Sequence, residues 1–155
     1  MVEFTHIKNE RAQMVDISAK NDVIREAVAV GKIFLKPETM NAIRQGNVVK
    51  GNVLSTARVA ATLSVKNTPS LIPLCHSIPI SAIVVEFEEG DGFIEATVRV
   101  KSTGKTGVEM EALVGVSIAL LTVWDMVKSA EKDEYGQYPV TRIEDIRVLE
   151  KKKGS

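Results

Sequence analysis

The plainest pattern along the chain is alternation. From Ile80 to Glu89, the apolar residues Ile83, Val85 and Phe87 interleave with Glu86 and Glu88. From Phe93 to Lys101, Ile94, Ala96, Val98 and Val100 interleave with Glu95, Thr97 and Arg99. A period of two sorts side chains onto two faces of a strand. Gly90-Asp91-Gly92 between the runs is a turn, so the segment predicts a β-hairpin. A slower period follows from Val48 to Lys66, where Val49, Val53, Ala57, Ala60, Ala61 and Val65 recur at helical spacing. Pro37 suits the first turn of a short helix through Gln45, with Gly46 beyond its end. Val108 to about Ala130 predicts a long helix. Between Ala112 and Trp124 it is apolar on nearly every side, and a helix without a polar face is expected to be buried all round. In a chain this small, part of it is expected to pack against another subunit.

Three segments are less regular. Val23 to Leu35 fits helix or strand, with Lys32-Ile33-Phe34-Leu35 favouring a strand that stops at Lys36-Pro37. Asn67 to Pro79 carries three prolines and reads as a loop entering the hairpin. Val140 to Leu149 predicts a closing strand, and residues 1–15 and 151–155 are expected to be flexible. The order is strand, two helices, hairpin, long helix, strand. That is an α+β fold on a split β-α-β plan, an antiparallel sheet with helices packed on one face.

Composition narrows the function. The 155 residues suggest a single domain, 1–155. Twenty Lys and Arg balance 20 Asp and Glu, which argues against nucleic acid as a partner but says nothing about local clusters. Cys75 has no second cysteine to pair with, and His6 and His76 are the only histidines. An intrachain disulfide and a four-ligand Cys/His zinc site are therefore ruled out. The apolar run Ala112–Trp124 falls short of the ~20 residues a bilayer requires. No membrane partner and a cytoplasmic location are the expectation.

Three groups of residues could carry chemistry. Lys50-Gly51-Asn52 precedes a helix and also fits a solvated turn. Leu74-Cys75-His76 lies between Pro73 and Pro79, which limit the loop's freedom. Lys105 to Glu111 opens the long helix, on which Asp125 and Lys128 follow at i, i+3 and share a face. Glu109 and Glu111 suit a helix start because acids complement the macrodipole there. The Asp125–Lys128 pair fits either a structural ion pair or an acid–base pair with shifted pKa values. Gly104-Lys105-Thr106 is no phosphate loop, since Arg99 stands where that pattern needs glycine.

Five segments occur in order: Met14–Ser18, Lys50-Gly51-Asn52-Val53 with Thr56-Ala57-Arg58, Leu71–His76, Lys105–Leu113 and Trp124–Lys128. Together they resemble the molybdenum cofactor biosynthesis protein C family, cyclic pyranopterin monophosphate synthase, over residues 12 to 150. One departure is Asn52, where the family is expected to carry Asp after Lys-Gly. The resemblance implies a ferredoxin-like fold assembled as a homohexamer, a trimer of dimers, with sites at subunit interfaces. It implies conversion of (8S)-3′,8-cyclo-7,8-dihydroguanosine 5′-triphosphate to cyclic pyranopterin monophosphate with release of diphosphate, a lyase step in molybdenum cofactor biosynthesis. Asp125, Lys128 and Lys50 are the catalytic candidates, with Lys50 reaching Asp125 across an interface. Leu74, Cys75, His76, Met110, Glu111, Glu109, Lys66 and Arg25 are the substrate-binding candidates. No resident metal or cofactor is implied; Mg²⁺ can accompany the phosphates with few protein ligands, and the sequence leaves that open. The alternative is a non-catalytic pterin- or nucleotide-binding oligomer.

Overall fold

The structure, a computed structural model, describes residues 1–2, 7–8 and 11–154. Its elements run β1 (Ile7–Lys8), β2 (Arg11–Ala12), β3 (Val23–Phe34), α1 (Pro37–Gln45), α2 (Val53–Lys66), α3 (Thr68–Leu71), β4 (Ile80–Glu89), β5 (Phe93–Gly104), α4 (Glu109–Glu131) and β6 (Arg142–Lys153). The main sheet has strand order β4-β5-β3-β6 and is antiparallel throughout. The hairpin is therefore an outer pair, and the first and last long strands meet beside it. This strand order with two β-α-β halves is the expected ferredoxin-like plan.

β3 is the central strand, which explains its ambiguous sequence. Strands buried on both faces lose their alternation. Ala27, Ala29 and Ile33 on one face and Val28 and Val30 on the other are all buried. The helices cover one face of the sheet. Ala57, Ala61 and Val65 of α2 join Ala112, Val116, Ala119, Leu120 and Val123 of α4 over Ala27, Ala29, Val98 and Val100. Small residues set how closely the layers approach. A Cβ added at Gly31 would lie 2.8 Å from Val116 Cγ1 and 3.0 Å from Leu120 Cδ1, so α4 can rest on β3 only where a side chain is missing.

Several boundaries differ from the sequence reading. The second helix starts at Val53, not Val48, because Gly51 turns the chain at φ 110 and the Asn52 side chain caps the helix by accepting from the Ser55 N–H at 2.9 Å. A one-turn helix, α3, occupies part of the expected loop. The last strand continues to Lys153, so Lys151–Lys153 are not a flexible tail: they pair with Arg25, Glu26 and Ala27. The expectation for residues 1–15 lies partly outside the described residues, and Ile7–Lys8 pairs with Arg11–Ala12. α4 is long and apolar enough, by length and composition alone, to cross a membrane; here ten of its residues are buried. It is not buried all round, since Leu121 is 53% and Met110 40% exposed.

Candidate active site

Two groups of side chains gather at opposite ends of α4. At the C-terminal end, the turn at Gly51 and the Asn52 cap set the loop between α1 and α2 against the helix. From that loop, Lys50 Nζ donates to Asp125 Oδ2 at 3.1 Å and to the Asp125 carbonyl at 3.0 Å. Lys128 Nζ lies 3.0 Å from Asp125 Oδ1. One carboxylate thus draws two ammonium groups together, leaving a net charge of +1. Lys50 and Asp125 meet within one chain, which corrects the expectation that they pair across an interface.

The triad is open to water. Hydrogen bonds from Lys128, then Lys50, hold the Asp125 carboxyl below the usual range. The same bond to Asp125 pushes the Lys128 ammonium above its ordinary value. Burial, which would have lowered it, is missing. The resting state is therefore fully charge-separated. A shallow cleft of about 320 Å³ adjoins it, lined by Leu121, Trp124, Asp125, Lys128 and Tyr138.

At the N-terminal end of α4 lies a cleft of about 560 Å³. Leu74, Cys75 and His76 from the proline-bounded loop face Glu109, Met110 and Glu111 across it, and Val15 and Ile17 form a further wall. His76 Nε2 donates to the Val15 carbonyl at 2.6 Å, which tethers the N-terminal segment to the loop and commits that ring nitrogen's proton. Glu111 is only 3% exposed; burial pushes its pKa up, and Glu109 adds to the shift. Glu109 faces Lys151, 2.6 Å from its carboxylate, which holds its pKa down against the effect of burial. Burial, with Glu111 nearby, raises the Cys75 thiol, so it is not a ready thiolate.

Residues 14–154 match the family model described as the MoaC family. The chain belongs to the MoaC family. It is 76% identical over 154 residues to a protein of Methanoregula boonei named "Probable cyclic pyranopterin monophosphate synthase", with 99% of each chain covered. A protein of the same name from Methanospirillum hungatei is 67% identical, covering 99% of this chain and 98% of that one. The Thermococcus kodakarensis protein of that name is 58% identical, with 99% of each covered.

In this MoaC-family chain, two of the expected binding residues join neither cluster. Arg25 is buried and spends its guanidinium on the turn before α4, donating to the Gly104 and Lys105 carbonyls at 3.3 Å each. Lys66 is exposed at the end of α2 and lines neither cleft. Sequence reasoning missed Lys20, which lines the larger cleft; Lys105, from the candidate segment that opens α4, donates to the Lys20 carbonyl at 2.9 Å. Asn52 makes a helix cap, a role it fills as well as Asp. Among the described residues, no group of three or more His, Cys, Asp and Glu side chains converges as a metal cage.

The two clusters are far apart. Fifteen residues of α4 separate Met110 from Asp125, about 22 Å at 1.5 Å per residue. Acid–base catalysis works only within hydrogen-bond reach. A ring held at the cleft cannot also react at Asp125 of the same chain.

Proposed function

We propose that this chain carries out cyclic pyranopterin monophosphate synthesis. It converts the 3′,8-cyclised dihydroguanosine triphosphate to the cyclic monophosphate and releases diphosphate. The observation that carries the reading is the presence, in one MoaC-family chain, of a two-lysine, one-aspartate centre and a separate cleft lined by His76, Met110 and Glu111. A triphosphate brings several negative charges, and Lys50 and Lys128 supply converging point charges for them. In the cleft, Met110 packs against the ring and Glu111 accepts hydrogen bonds from its guanidine-like edge. His76 and the thiol of Cys75 border the same ring, and Leu74 closes the wall. Glu109, neutralised by Lys151, orders the helix start. Arg25 holds the adjoining turn, and Lys66, outside both clusters, has no role in this reading.

The resting pKa shifts say how the centre works. With Asp125 ionised, Lys128 holds its proton tightly, so the free triad is a poor proton donor. Substrate phosphates compete for both lysines. As they draw the ammonium groups away, Asp125 loses the charges that kept its pKa low and becomes a better base. It then takes protons released as the purine-derived ring opens and recloses. When a sugar hydroxyl attacks the α-phosphorus, its proton leaves and diphosphate departs with the P–O bonding pair. Lys50 and Lys128 stabilise the charge that builds on the departing oxygens. Magnesium, if carried on the phosphates, would neutralise their charge and need no protein cage.

The separation along α4 supports a site completed by a second copy, whose cleft meets this chain's triad. The exposed apolar Leu121 of α4 is suited to such a contact; the reading requires at least a dimer, and the homohexamer, a trimer of dimers, is the assembly that the family resemblance implies. The test is direct: incubate the protein with the cyclised triphosphate and measure diphosphate. Stoichiometric release with conversion of the ring supports the reading. Tight binding without release would instead make the protein a non-catalytic binder.

A further inference from the structure

Glu131 is the last residue of α4 and is fully buried, and among the described residues no cation forms a salt bridge with it. Its carboxylate accepts from three places. The Lys36 backbone N–H lies 3.2 Å from Oε1 and 3.1 Å from Oε2, the Thr39 hydroxyl donates to Oε2, and the Thr141 hydroxyl donates to Oε1 at 2.7 Å. Lys36 is the N-cap of α1 and supplies no side-chain cap of its own. Glu131 instead accepts the N–H of the N-cap residue itself, the second bond of a capping box, supplied here from another element.

The connection matters because of what α1 leads to. The segment 36–50 leaves α4 at Glu131, passes through α1 and returns to α4 where Lys50 grips Asp125. Both its ends rest on the last two turns of one helix. The anchors are six residues apart, about 9 Å along the axis. Of the two, the Lys50–Asp125 contact is exposed to water, and an exposed lysine–carboxylate pair adds little by itself. The buried end, together with Met40 in the core and Ile43 and Val48 packed against it, therefore holds the strap. We propose that Glu131 is a positioning residue that fixes α1 and the following loop so that Lys50 stays in register with Asp125 and Lys128. This rests on reading the triad as the reactive centre. It adds a buried group that touches no substrate yet sets the triad's geometry.

Two threonines separate positioning from general stability, because both donate to the same carboxylate from different sides. Thr39 belongs to the strap, and Thr141 immediately precedes β6. The experiment follows the carboxyl signal of Asp125 by carbon-13 NMR through an acid titration, assigned with Asp125→Asn. Melting temperature, kcat and KM are measured in parallel on the full chain. Thr39→Val is expected to raise the Asp125 midpoint toward that of a free carboxylate. It should lower kcat by about tenfold or more, since small misplacements at a reacting centre have effects of that order, while KM changes little. Thr39→Ser, which keeps the hydroxyl, should restore both. Thr141→Val should lower the melting temperature while leaving the midpoint and kcat as in the wild type. The proposal is overturned if Thr39→Val lowers the melting temperature without moving the Asp125 midpoint, or if Thr141→Val moves it equally. If Asp125→Asn keeps full turnover while Thr39→Val still shifts the midpoint, the strap stands and the catalytic reading of the triad falls.

Discussion

Glu111→Gln should stabilise the protein and weaken substrate binding at the same time. Glu111 is 3% exposed at the base of the cleft. Burial raises its pKa first and foremost; its own backbone N–H opposes that, and the nearby Glu109 carboxylate pushes the same way as burial. With a folded pKa above the unfolded one, the folded protein retains a proton that the unfolded chain has released. The stability this brings is complete below the ordinary glutamate value of about 4.3 and is lost as pH rises through the raised folded value. Glutamine carries no charge at any pH. The variant should therefore match the wild type in acid and become the more stable protein toward neutrality. Binding moves the other way. A hydrogen bond to a charged acceptor contributes about 1.5–3 kcal/mol, so its loss should weaken affinity about tenfold to a hundredfold. Thermal denaturation across the acid-to-neutral range and calorimetric titration with the cyclised triphosphate measure the two effects separately. A variant less stable than wild type at neutral pH, or one of unchanged affinity, refutes the assignment of Glu111 as a buried ligand-facing carboxylate.

Other changes probe the remaining parts. Asp125→Asn should reduce turnover by about a hundredfold or more with the melting temperature unchanged, because the group is exposed; normal turnover of the cyclised nucleotide removes the triad from the chemistry. His76→Ala should mainly raise KM, since the ring borders the cleft and holds Val15; an unchanged KM and affinity take it out of the site. Gly31→Ala should destabilise the fold by about 1–3 kcal/mol through overpacking against Val116 and Leu120, read from chemical denaturation; a neutral result would mean that α4 can move off β3 at little expense.

What the sequence disclosed depended on how local the cause was. The hairpin at Ile80–Gly104 was legible because its two faces differ in polarity, and α4 because its composition is uniform over many turns. The start of α2 was misread because Val49 sits in phase with the helix that follows, while the terminating signals, Gly51 and Asn52, act through backbone angle and a side-chain cap. Lys151–Lys153 looked like a tail because an edge strand needs one ladder and no apolar face. In the site, Asp125 and Lys128 were legible as one helical face. The Lys50 contact spans 75 positions, and nothing local says whether it forms within a chain or between chains. Glu131 left one overlooked signal, an acidic residue in a last helical turn, where it opposes the macrodipole and needs a buried donor set to account for it.

The account holds that a reactive site combines the triad of one copy with the cleft of another. Complementation between inactive variants tests this most directly. Asp125→Asn and Glu111→Ala, each purified inactive, are unfolded together in equal amounts, refolded and assayed for diphosphate release, with mixed assemblies verified by mass. Random pairing leaves about one site in four with both clusters intact, so about a quarter of wild-type activity should return. If mixed assemblies form and no activity returns, triad and cleft do not meet across copies and the two-copy site is wrong.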